Sequence, residues 1–112
     1  MEVKIYTSDE FSRRAKKYAK KFKSFASDFK LFLDSIKENP YQGVDLGGGK
    51  RKLRMIVTSK NSGKRGGFRI ITYNIVVSQD TLLSVYLLTI YDKSEYSSVS
   101  DSYINQIISS LK

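Results

Sequence analysis

Nine apolar residues, Phe11, Ala15, Tyr18, Phe22, Phe25, Phe29, Phe32, Leu33 and Ile36, follow one another mostly at steps of three and four. That period puts them on one face of a helix. A stripe of this kind has to be set against another apolar layer, so it dictates a packed domain. The run is long for one globular helix. Ser24 offers a break and a second N-cap, which predicts a helix pair. Thr7 with Glu10 three residues on has the form of a capping box and predicts the start of the first helix. Asn39-Pro40 ends the second, because the residue before proline is pushed out of the α region.

The period then changes. Lys52, Leu53, Arg54, Met55, Ile56 and Val57 alternate, which predicts a strand at 50–59 with one basic face and one apolar face. Residues 68–77 and 82–91 read as two more strands, and residues 3–6 as a short first one. Residues 42–49, ending in Gly47-Gly48-Gly49, read as a loop, and 60–67 as a Gly- and Lys-rich hairpin connection. Tyr103, Ile104, Ile107, Ile108 and Leu111 predict a closing helix over 99–111. The expected order is β-α-α-β-β-β-α. Short links between successive strands favour an α+β fold with an antiparallel meander and its helices on one face. At 112 residues the chain is expected to be a single domain over 1–112.

Composition narrows the chemistry. With no His and no Cys, Ser-His-Asp and Cys-His catalysis, disulfides and thiolate metal sites are excluded. Acids and bases must come from Lys, Arg, Tyr, Asp or Glu. No metal site and no cofactor are expected. Twenty Lys and Arg against eleven Asp and Glu leave a net charge of +9, and that charge is segregated. Residues 11–27 hold seven cations and no acid, and residues 46–79 hold eight and no acid. One-sign surfaces of this kind attract polyanions, and nucleic acid is the commonest one in the cytoplasm. The first residues lack the apolar core of a signal peptide, and no apolar run reaches membrane-spanning length. Cytoplasmic residence, away from any membrane, is the expectation.

Three segments stand out together: Arg51-Lys52-Leu53-Arg54-Met55, Gly63-Lys64-Arg65-Gly66-Gly67-Phe68-Arg69, and Leu87-Leu88-Thr89-Ile90-Tyr91-Asp92-Lys93-Ser94-Glu95. In order and spacing they resemble the RelE/HigB family of bacterial type II toxins, in its HigB-like branch. That branch carries an R-K-[IL]-R strand, a G-K-[SR]-G-G-x-R hairpin and a last strand close to L-L-x-I-Y-x-K-x-E. The similarity extends over nearly the whole chain, from Phe11 to the last helix.

The resemblance implies an mRNA interferase, a ribonuclease that cuts messenger RNA on the ribosome. It also implies a cognate antitoxin, in this branch often a helix-turn-helix repressor. RNA supplies its own nucleophile, the 2′-hydroxyl, so the protein has only to move protons and stabilise charge. Crowding by other cations disfavours a charged lysine. Lys52, near Arg51 and Arg54, is therefore the candidate general base. Arg54 and Arg69 are the candidates for holding the phosphate, since guanidinium forks bind its oxygens in pairs. Family analogy points to Lys93 for protonating the leaving group. Tyr91 is a candidate for stacking on a base or orienting the phosphate. Arg51, Lys60, Lys64, Arg65 and Tyr73 are candidate RNA contacts. Two other readings stay open at this point: a toxin of the same fold that inhibits gyrase, as ParE proteins do, and a basic nucleic-acid-binding module.

Overall fold

The computed structural model describes residues 1–60 and 67–111. The elements run β1 (Glu2–Thr7), α1 (Asp9–Lys21), α2 (Phe25–Glu38), β2 (Val44–Gly47), β3 (Lys50–Ile56), β4 (Gly67–Ser78), β5 (Leu82–Asp92) and α3 (Asp101–Ser110). The five strands form one sheet in the order β1-β5-β4-β3-β2. The fold is α+β, as the patterning predicts, with four differences of detail.

The sheet is mixed. β2 to β5 form an antiparallel meander, but β1 pairs with β5 in parallel, with Ile5 opposite Val85. The helix pair carries the chain across the sheet to β2, and the meander walks back until β5 arrives beside β1. The residues expected as a loop at 42–49 contain β2, which pairs Val44 with Lys52 and Asp45 with Arg51. Gly49 closes that hairpin at a positive φ of 85°, where a Cβ would lie 2.8 Å from the Asn74 carbonyl oxygen.

Helices cover both faces, not one. α1 and α2 bury Phe11, Tyr18, Phe25, Phe32 and Ile36 against Leu53, Met55, Phe68, Ile70, Val85 and Ile90. α3 packs Ile104 and Ile107 on the opposite face against Ile71, Leu88 and Tyr91. The near-continuous apolar run of β5 explains this, since a strand that is apolar on both sides has to be buried on both. In the larger core Phe68 meets the edges of Tyr18 and Phe22, with ring centroids at 4.6 and 5.6 Å.

The first helix is capped by Ser8, not Thr7. The Phe11 amide donates to the Ser8 hydroxyl at 2.9 Å. Thr7 is still held in the ladder opposite Leu87, so Ser8 is the first residue free to cap. Ser24 does stand at the break between α1 and α2, where its hydroxyl donates to Asp28 at 2.7 Å.

Beyond Leu87, β1 no longer pairs with β5, and α1 takes over that edge. Ser8 donates its amide to the Leu87 carbonyl and its hydroxyl to the Leu88 carbonyl, at 3.1 and 2.6 Å. Arg14 Nε donates to the Ile90 carbonyl at 2.6 Å, and the Asp92 amide donates to the Tyr18 hydroxyl at 3.3 Å. Arg14, one of the seven cations of the first basic block, is thereby committed to the fold. The sheet edge is closed by side chains.

Candidate nucleic-acid interface

The α3 side of the sheet carries the sequence-derived site. In β3 the apolar residues Leu53 and Met55 point into the larger core, so Lys50, Lys52 and Arg54 point to the other side. In β4 Phe68 and Ile70 share that core, so Arg69, Ile71 and Tyr73 face the same way as the three β3 cations. Strand register then arranges these residues in rows. Arg54 stands opposite Arg69, and Arg69 opposite Tyr91. The next row runs Lys52, Ile71, Thr89, with Val44 beyond Lys52 on β2. A third runs Lys50, Tyr73, Tyr86, Tyr6, and its last two rings stack at 5.1 Å.

The Arg54–Arg69 rung concentrates charge. Directly opposed residues in an antiparallel pair have Cβ atoms about 4.5–5.5 Å apart, and like charges there repel. Among the described residues neither arginine is in an ion pair. Arg69 donates only a long bond from Nη1, 3.5 Å to the Phe68 carbonyl. Both side chains crowd Gly67. A Cβ on that residue would lie 3.2 Å from Arg69 Nη1 and 3.8 Å from Arg54 Cγ. The bare backbone there leaves the guanidinium its place.

Tyr91 is 1 % exposed, enclosed by α3 and by the edge of Tyr96 at 6.4 Å. Its ring has no free face for a base, and its burial equally keeps it from direct contact with a phosphate; it stands across the rung from Arg69. Burial pushes its hydroxyl pKa up, and the Arg69 charge pulls the other way. Lys93 lies at the same end of the sheet, because its amide donates to the Gly67 carbonyl at 3.1 Å. Its ammonium is exposed and donates to the Ser97 carbonyl at 3.3 Å.

Other expected RNA contacts are placed elsewhere. Arg51 points to the face opposite Lys52 and donates to the carbonyls of Gln42 and Gly43, at 2.9 and 3.2 Å. It stands 3.8 Å from Asp45 and ties β2 to β3. Lys60 is held in a buried ion pair with Asp92, 3.1 Å away. Burial alone would raise the Asp92 pKa. The Ser94 amide and hydroxyl and the Lys60 ammonium outweigh it and hold the carboxyl below its usual range. Lys64 and Arg65 lie outside the described residues.

Two features escaped the sequence reading. Lys50 completes an alternating set with Lys52 and Arg54, and that period-2 signal was present. The other is a hydrogen-bonded chain from the site to α1. The hydroxyls of Thr89 and Tyr103 are 2.8 Å apart, and the Tyr103 hydroxyl donates to Glu10. Burial would raise the Glu10 pKa, but the bonds from Tyr103 and Arg13 and the charges of Arg13 and Arg14 bring it down. Burial and the Glu10 bond raise the Tyr103 pKa. No sequence spacing signals a contact between residues so far apart in the chain.

Among the described residues no group of three or more His, Cys, Asp or Glu could hold a metal ion. No helix among them is long and apolar enough to cross a membrane. No protein-family model matches the chain.

Proposed function

We propose that this protein is the toxin of a bacterial type II toxin–antitoxin system, an endoribonuclease that cuts messenger RNA on the ribosome in the cytoplasm. The observation that carries the reading is the Arg54–Arg69 rung, flanked by Lys52 and with no carboxylate of β2 to β5 on its face. The opposed guanidinium groups suit the nonbridging oxygens of one phosphate, and the anion would relieve their repulsion. Lys52, one row along, takes the proton of the 2′-hydroxyl as general base. The 2′-oxygen attacks phosphorus, the bond to the 5′-oxygen breaks, and Lys93 gives the leaving oxygen a proton. The products are a 2′,3′-cyclic phosphate and a 5′-hydroxyl end. Tyr91, buried across the rung from Arg69, is a packing neighbour of that side chain and does not touch the phosphate. The step needs no metal or organic cofactor, since the substrate brings the nucleophile and the cations stabilise the charge that develops.

A toxin of this kind requires a partner that silences it. The proposal therefore includes a cognate antitoxin, of the helix-turn-helix type and encoded next to the toxin. The test is translation-coupled cleavage of a messenger RNA by wild type, Arg54→Ala and Arg69→Ala, with analysis of the new ends. Wild type should produce cyclic phosphate ends and both variants should lose at least about a hundredfold in rate. Equal cutting by all three would remove the site assignment. No cutting by wild type, with inhibition of DNA supercoiling instead, would favour a gyrase-directed toxin. Salt-dependent binding of nucleic acid without turnover would favour a plain binding module.

A further inference from the structure

β3 presents Lys50, Lys52 and Arg54 on one face at every second position. Two residues of strand advance about 6.6 Å, close to the stretch of one nucleotide in an extended single strand. None of the three cations is hydrogen-bonded or ion-paired among the described residues. The acids of β2 and β5 lie on the other side of the sheet: Asp45 stands opposite Arg51, and Asp92 opposite Phe68. Repulsion along the row is therefore not compensated by the strands beside it, which is the electrostatic signature of a track for a polyanion.

The surroundings favour unpaired bases over a duplex. Val44, 57 % exposed, flanks Lys52 on β2, and Ile56, 66 % exposed, follows Arg54 on the same face. Tyr73 stands opposite Lys50, and its ring lies over Gly49. Apolar and aromatic surface beside a row of cations is the combination that binds single strands, whose bases expose their faces. A duplex offers phosphates but hides those faces.

We infer that the α3-side face of β3 is a three-phosphate track for extended single-stranded RNA. Arg54 holds the phosphate that reacts, Lys52 adjoins the next, and Lys50 holds the one two nucleotides away. Lys50 stands about 13 Å along the strand from Arg54. It is thus a substrate-binding residue outside the chemistry, and Tyr73 supplies a surface for a base beside it. The inference rests on the proposed function only in taking RNA as the polymer.

The test uses a short, fluorescently labelled 2′-O-methyl RNA strand, which has no free 2′-hydroxyl and cannot be cut. Its binding is followed by fluorescence anisotropy over a range of salt concentrations. Lys50→Gln should weaken binding about threefold or more and lower the slope of log affinity against log salt by about 0.7. Lys30→Gln removes the same charge from the exposed surface of α2 and should change neither. A duplex of the same length should bind more weakly than the strand. The track is overturned if Lys50→Gln behaves as Lys30→Gln does, or if the duplex binds as tightly. A wild type that binds in the expected way yet cuts no RNA would leave the track standing and remove the nuclease reading.

Discussion

Arg54 on β3 and Arg69 on β4 face each other across one rung of the sheet, and no carboxylate of β2 to β5 shares their side. A like-charged cross-strand pair costs the fold on the order of 0.2–1 kcal/mol. Residues kept for function rather than stability have this profile. Arg54→Thr and Arg69→Thr are therefore expected to unfold in urea at the same or slightly higher midpoints than wild type, while losing RNA cleavage. A destabilisation of more than about 1 kcal/mol in either would assign the pair a structural role instead.

Gly67 lies beneath both arginines, and the added methyl of Gly67→Ala would stand 3.2 Å from Arg69 Nη1. The guanidinium is the end of a flexible side chain and can swing aside, so little stability is at stake. Its displacement should still lower cleavage about tenfold or more, since small misplacements of a charge-stabilising group are costly. Urea denaturation and initial cleavage rates, measured side by side, separate the two effects.

The Lys60–Asp92 pair closes the same end of the sheet from the inside, with both side chains buried. Removing one partner strands the other in a dry environment. Lys60→Ala should cost about 3 kcal/mol of unfolding free energy. The pH dependence follows from the depressed Asp92 and Glu10 carboxyls. A carboxyl whose folded pKa is below its unfolded one binds fewer protons when folded. Its stabilisation is complete above the unfolded value and is lost as pH falls through the folded one. Thermal midpoints should hold from neutral pH down to the usual carboxylate range and fall below it. Asp92→Asn should start lower and fall less.

Much of the fold was legible because it is written in local periods. The stripe from Phe11 to Ile36 announced α1 and α2, and the alternation through Lys52 and Arg54 announced β3 and its two faces. The four residues of β2 were hidden, because Gly47 and its neighbours read as turn chemistry and the strand is too short to show a period. The parallel seat of β1 beside β5 was also hidden, since the choice of a strand's neighbour is made by the whole chain. Site residues divide in the same way. The common face of Lys52 and Arg54 follows from period alone. The burial of Tyr91 and the ion pair of Lys60 depend on α3 and Asp92, which come from elsewhere in the sequence.

Tyr103 joins the site to α1, with its hydroxyl between Thr89 and Glu10. Tyr103→Phe keeps the ring in the α3 packing but leaves the buried Thr89 hydroxyl without that bond. A loss of about 1–2 kcal/mol is expected by urea denaturation. The Glu10 carboxyl should also titrate at higher pH in the variant, because one of the bonds that depresses it is gone. Carboxyl titration by NMR checks the second point independently of the first.

In the proposed reaction the substrate carries its own nucleophile to the Arg54–Arg69 rung. The most direct measurement is cleavage, by wild-type protein on translating ribosomes, of a messenger RNA with one 2′-deoxy nucleotide at the mapped cut position. Cutting at that position should vanish while cuts elsewhere in the same message continue. Undiminished cutting at the deoxy position would mean that another group attacks the phosphate, and would contradict the account.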